Sequence, residues 1–127
     1  MGFAIEQWLR ASTTIRTARQ VCDGDPDSAA SRAFYASFHA VTALFALEGR
    51  DFRKHSALRA AVHRDLVKTG RWTEELGIAY DFLMEMRETG DYGGVARVTV
   101  ADARKAVDLA QDILDAVAPL FLGSDLE

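Results

Sequence analysis

The chain has 127 residues, 49% of them hydrophobic and 27% charged, and a formal net charge of −4. That length suits one domain around a single core, and the composition is that of an ordinary globular chain. No apolar run reaches the roughly 18 residues that a membrane span needs, and the lone Cys22 excludes an internal disulfide or a metal site built on several thiolates.

The opening MGFAIEQWLR lacks the basic and apolar regions of a signal peptide, so a reducing cytoplasm is the expected compartment. A first helix is expected over 3–21. Its inward stripe is Ile5, Trp8, Leu9, Ile15, Ala18 and Val21, with Arg10, Arg16 and Arg19 outside. Gly24 and Pro26 break it. The central helix, expected over 28–48, has N-caps on offer in Asp25-Pro26-Asp27-Ser28 and a terminating glycine in Gly49. It carries two stripes: Phe34, Phe38, Val41 and Phe45 are apolar, whereas Arg32, Tyr35, His39 and Thr42 are polar and aromatic. Alanines between them let neighbouring helices come close, as suits a helix inside a bundle.

A shorter helix over 56–68 is expected to be capped by Ser56 and closed by Gly70, with Leu58, Ala61, Val62 and Leu66 inward. The fourth, 73–89, has Thr73 as N-cap and Glu74 and Glu75 in its first turn. Leu76, Tyr80 and Leu83 form its core stripe, and the next position in register is Arg87. Gly90 is expected to end this helix, with Asp91-Tyr92-Gly93-Gly94 as a tight loop. Thr99-Val100-Ala101-Asp102 resembles a capping box and opens a fifth helix over 100–118. Its seam is Val100, Ala103, Val107, Ala110, Leu114, Val117 and Phe121. Pro119 is expected to kink or end it, and 123–127 to fray. The expected fold is therefore all-α, a single domain over 1–127 built as an antiparallel up-and-down bundle of about five helices.

Charge is unevenly distributed. Residues 50–71 carry Arg50, Arg53, Lys54, Arg59, Arg64, Lys68 and Arg71 against only Asp51 and Asp65, a local balance of +5. From Trp72 onward twelve acids face four cations. This asymmetry suits either a phosphate-facing side or a solvated helix face. His39, one turn beyond Tyr35 and two beyond Arg32, reads as a hydrogen-bonded core histidine or as a general acid/base. A guanidinium in the core register at Arg87 needs an anion, a partner chain or a water-filled cleft. It reads either as an ion pair to Asp91 beside Tyr92 or as a phosphate holder. His55, between Lys54 and Ser56, suits a turn histidine or an anion contact. The three histidines are not spaced to chelate a metal, and no metal or cofactor is expected.

Four segments in order, SRAFYASFHAVTALF, KHSALRAAV, LVKTGRWTEELG and RETGDYG, span about residues 28–94 and resemble the HEPN-domain family, in particular its small stand-alone prokaryotic branch. The Ala-, Val- and Asp-rich last helix completes the resemblance. It implies a helical bundle that forms homodimers and pairs with a minimal nucleotidyltransferase, in a toxin–antitoxin or defence module, with nucleotide or RNA binding and no membrane. Many members of the family are metal-independent ribonucleases in which an arginine, followed after four to six residues by a histidine, assists attack by the RNA 2′-hydroxyl. Arg87 stands at the place of the motif arginine, yet 92–94 read Tyr-Gly-Gly and no histidine follows. Arg32 and His39 have the spacing, but in the central helix. Two readings are carried forward, a nucleotidyltransferase-associated binding subunit and a divergent metal-independent ribonuclease. The candidate catalytic residues are Arg87, Asp91, Tyr92 and His39. The candidate nucleotide- or RNA-binding residues are Arg32, Tyr35, Arg53, Lys54, His55 and Arg59.

Overall fold

The cap signals in the sequence become helix starts. Asp25 accepts the Ser28 N–H at 3.2 Å and Pro26 fills the first turn, so the central helix, α2, runs Pro26–Leu47. The computed structural model describes residues 2–92 and 97–126, with side chains in the last helix as far as Phe121. Before α2 lies α1 (Gly2–Val21). After it come the short α3 (His55–Ala61), continued by a π-helical turn over Val62–Val67, then α4 (Glu74–Tyr92) and α5 (Val100–Leu126). Thr73 and Thr99 cap α4 and α5 by accepting the N–H groups of Leu76 and Asp102 at 3.3 and 3.0 Å. Gly49 follows α2 with φ +75°, a conformation that glycine adopts without steric cost. The described residues contain no strand, and none of their helices is long and apolar enough to cross a membrane.

Long-range contacts fix the directions. Gln7 meets His39 and Gly90 meets Asp27, so α1 and α4 both run antiparallel to α2. Asp27 also holds the residues just before α5, which makes α2 and α5 parallel. The four long helices thus alternate up and down, and α3 with its π turn lies in the connection between α2 and α4. The α2–α5 pair forms the centre, with α1 and α4 packed on both. The core includes Phe34, Leu44 and Phe45 of α2, Leu58 of α3, Leu66 of the π turn, Tyr80 and Leu83 of α4, and Ile113, Val117 and Phe121 of α5. Each large apolar side chain so buried stabilises the fold by about 1.5–3 kcal/mol.

The structure corrects several expectations. The buried stripe of α1 is Ala4, Gln7, Ala11, Ile15 and Ala18, whereas Ile5 and Leu9 are 39% and 60% exposed. Small side chains let α1 approach the alanines of α2 closely, and this turns the helix so that its larger apolar residues lie to the side. Trp8 remains half-buried, stacked on Phe121 with centroids 5.5 Å apart. Ser56 does not cap α3. The helix starts one residue earlier, with Lys54 extended at the N-cap and no side-chain cap bond, because the His55 ring is seated against Phe34, Tyr35 and Phe38 of α2. Val100, at the first turn of α5, is exposed. Pro119 does not end α5, which continues to Leu126. Pro119 and Asp115, whose carbonyl loses its helical donor, both lie on the exposed face where water can reach them.

Gly90 does not end α4, and Asp91 and Tyr92 belong to the helix, while Gly93 and Gly94 lie outside the described residues. Gly90 marks a close approach instead. A Cβ there would stand 2.7 Å from the backbone oxygen of Asp27. The carboxylate of Asp27 accepts the Val98 N–H at 2.9 Å and Arg97 at 3.0 Å. The Val98 bond and then Arg97 hold its pKa below the usual carboxylate range. One residue thus ties together the start of α2, the end of α4 and the entry to α5.

In an open helix Gly→Ala stabilises by up to about 1 kcal/mol. Here the facing atom is backbone and cannot swing aside, so Gly90→Ala is expected to destabilise by about 1–3 kcal/mol in urea unfolding. A gain in stability would refute the close contact.

Candidate functional site

Tyr80, Leu83 and Arg87 follow one another along α4 at spacings of three and four, so the stripe that fills the core ends in a guanidinium. The Arg87 side chain is only 15% exposed. Its guanidinium carbon stands 5.7 Å from the centroids of both Phe34 and Tyr35, within range of a cation–π interaction with each. One turn further on, Asp91 Oδ2 lies 3.2 Å from Arg87 Nε. This is an ion pair without the alignment of a hydrogen bond, and Nε is buried with no hydrogen-bond partner. Burial opposes the charge, but Tyr35 and Asp91 outweigh it and raise the pKa of Arg87. The guanidinium is therefore a permanent cation at the edge of the core.

The same aromatic edge of α2 receives His55 from α3. Its ring lies 4.7 Å from Phe38, 5.5 Å from Phe34 and 5.7 Å from Tyr35, centroid to centroid. Burial, and then the charge of Arg87, push its pKa below the usual 6.5. Arg87 and His55 thus share the rings of Phe34 and Tyr35, although 32 positions separate them in sequence. Arg53 and Lys54, immediately before His55, are exposed and have no ion pair among the described residues. Arg32, one turn before Tyr35, is also exposed, and its Nε donates to Ser28 Oγ at 3.4 Å. Tyr92 ends α4 and is 75% exposed.

Other candidate residues are engaged elsewhere. His39 Nδ1 lies 2.8 Å from Gln7 Oε1; an amide oxygen only accepts, so Nδ1–H donates. Burial and then Arg10 lower the His39 pKa. Arg59 donates to Asp81 at 2.7 Å, and His63 Nε2 lies 2.9 Å from the same carboxylate oxygen. Within the basic block Arg50 and Arg64 both bond Asp65, at 2.7 and 2.8 Å, and Arg71 bonds Glu48 at 2.6 Å. The Asp65 pKa is lowered by Arg64 and then Arg50. The local excess of +5 is thereby cut down by neighbouring carboxylates, two of them, Glu48 and Asp81, from outside the block. Arg53, Lys54 and Lys68 keep their charge unpaired among the described residues.

The site that results combines a fixed guanidinium, an imidazole and two loop cations around an aromatic edge. Such a set suits an anion carrying phosphate oxygens, with the exposed Tyr92 ring available for stacking. Sequence reasoning missed Gln7, whose signal was an amide in the buried register of α1. It also assigned Phe34 and Phe38 to the core alone, because their contact with His55 depends on where α3 docks.

A sequence profile described as the HEPN domain matches residues 5–120. The chain is 40% identical over 119 residues to a UPF0332 protein of Thermotoga maritima, covering 92% of this chain and 90% of that protein. Its fold is similar to the crystal structure of TT1696 from Thermus thermophilus, with a TM-score of 0.79 and 25% identity over 94% of this chain and 99% of that one.

The lowered pKa values of His39 and His55 have a signed consequence. Unfolded imidazoles take up protons near pH 6.5 while the folded ones still resist, so stability falls as the pH drops through 6.5 toward the folded values. In an NMR titration both rings are expected to titrate below 6.5. The urea midpoint should decline from pH 7 to pH 5, and less steeply in His39→Gln. A midpoint that rises on acidification would contradict this assignment.

Proposed function

Because the chain belongs to the HEPN-domain family, we propose that it is a nucleotide- or RNA-binding subunit that holds a phosphate of its ligand at Arg87. The observation that carries this reading is the placement of a half-buried, permanently charged guanidinium on the Phe34 and Tyr35 rings, with the exposed, unpaired Arg53 and Lys54 immediately before His55, which shares those rings. Asp91 neutralises part of the charge from the Nε side without taking a hydrogen bond, which leaves donors of a five-donor fork for phosphate oxygens. Arg53, Lys54 and Arg32 extend the cationic surface along a phosphodiester backbone. Arg59, tied to Asp81, contributes less. The subunit acts as a homodimer beside a minimal nucleotidyltransferase, in a toxin–antitoxin or defence module; family membership supports this part of the reading.

One observation favours a second reading, metal-independent cleavage of RNA. No histidine follows Arg87 in the sequence, but His55 stands on the same two rings. Its lowered pKa keeps the imidazole neutral near pH 7, the form that accepts a proton from a 2′-hydroxyl.

Purified wild type and Arg87→Ala, incubated with RNA in excess chelator, separate the two readings. Binding without cleavage, weakened about tenfold or more in Arg87→Ala and falling steeply with salt, is the outcome expected for the binding subunit. Cleavage that vanishes in the variant would establish the ribonuclease. RNA affinity that is absent, or indifferent to salt and to Arg87, would refute the phosphate site.

A further inference from the structure

His55 is seated against three aromatic rings, and the phosphate-binding reading above does not depend on its charge. Three aromatic rings of α2 surround it, the closest being Phe38 at 4.7 Å and 63°. The groups around it are few. From α2 come Tyr35 and, beyond Phe38, His39, whose Nδ1 is committed to Gln7. From α4 comes Arg87, with Asp91 paired to it and Tyr92 at the helix end. Its own segment supplies the exposed Arg53 and Lys54, and Arg59 one turn on, which is held by Asp81. No ion pair of His55 with a carboxylate occurs among the described residues, unlike His63, which lies 2.9 Å from Asp81.

We propose that His55 is a proton-operated second cation of the Arg87 site, so that the cluster captures anions of fixed charge more tightly as the pH falls. This rests on the phosphate site proposed above and adds its regulation. A proton on His55 is opposed by burial and by Arg87, which favours the uncharged imidazole near neutral pH. An anion seated at Arg87 reverses the second of these effects, because it places a negative charge between two groups that otherwise repel. By linkage, whatever raises the proton affinity of His55 is bound more tightly by the protonated protein, tenfold for each unit by which the ligand raises the pKa. Neither His39, turned to Gln7, nor His63, held by Asp81, is placed to do this.

The test needs ligands whose own charge does not change with pH. Sulfate and a 2′-O-methyl oligoribonucleotide meet this requirement, and the oligonucleotide also resists cleavage through its 2′ position. The His55 ring resonance, assigned by its loss in His55→Gln, is titrated by NMR with and without each ligand. Oligonucleotide affinity is measured by anisotropy at constant ionic strength between pH 7.5 and 5.5. Expected are a higher His55 pKa in the presence of ligand and an affinity about five- to tenfold greater at pH 5.5. His55→Gln should flatten this dependence beyond the general rise caused by a more positive protein, whereas His39→Gln and His63→Gln retain it. An unmoved His55 pKa, or an equal slope in His55→Gln, would overturn the proposal. Oligonucleotide binding with a flat pH profile would leave the phosphate site standing and sink its regulation. A sulfate-shifted His55 with no oligonucleotide binding would support the proton-linked anion site and remove nucleic acid as its ligand.

Discussion

The structure depends on α2 being enclosed by its neighbours. Twelve of its residues are buried, and six of them, Ala29, Ala30, Ala33, Ala36, Ala40 and Ala43, offer almost no side-chain volume. Helices come close only where side chains are small, so α1 presents its own small residues, Ala4, Ala11 and Ala18, to this surface. Dense packing of this kind leaves little freedom in register. On another edge of α2, Phe34 and Tyr35 meet both His55 of α3 and Arg87 of α4, and Phe38 meets His55. The candidate site is built on that edge.

Electrostatics then decide which charges are available. Arg50, Arg59, Arg64 and Arg71 are each bonded to a carboxylate, at 2.6 to 2.8 Å. Pairs of this kind near the surface contribute little to stability and weaken with salt. Their larger effect is to remove four of seven cations from competition for a ligand. The free cations Arg53 and Lys54 sit in the connection that delivers His55 to the aromatic edge, whereas the half-buried Arg87 arrives from α4. Of the block's seven cations, Arg53, Lys54 and Lys68 thus remain unpaired among the described residues, and the first two immediately precede His55.

Whatever is set by neighbours in sequence was legible in the sequence. The caps at Asp25, Thr73 and Thr99 and the left-handed glycine at Gly49 use bonds within a few residues of themselves. Arg87 stood out because it breaks an apolar register, and its ion pair with Asp91 is a one-turn contact. Features decided by distant packing were not legible. In α1 the stripes Ile5–Trp8–Leu9 and Ala4–Gln7–Ala11 both have helical spacing, and only the alanine surface of α2 selects the second. Gly90 has the local appearance of a helix stop, but its lack of a side chain answers to the Asp27 carbonyl 63 positions away. The meeting of His55 with Arg87 is of the same long-range kind.

That last meeting bears on what an incomplete motif means. A histidine a few residues after the arginine supplies an imidazole from the same helix end, whereas here α4 supplies the arginine and α3 the imidazole. The two arrangements differ in rigidity as well as in sequence. His55 is fixed by contacts with Phe34, Tyr35 and Phe38, and its distance from Arg87 is set by how α3 and α4 dock on α2. An imidazole therefore stands on the same rings as Arg87 although no histidine follows Arg87 in the sequence. It comes from a different element, where burial and then the charge of Arg87 oppose its proton.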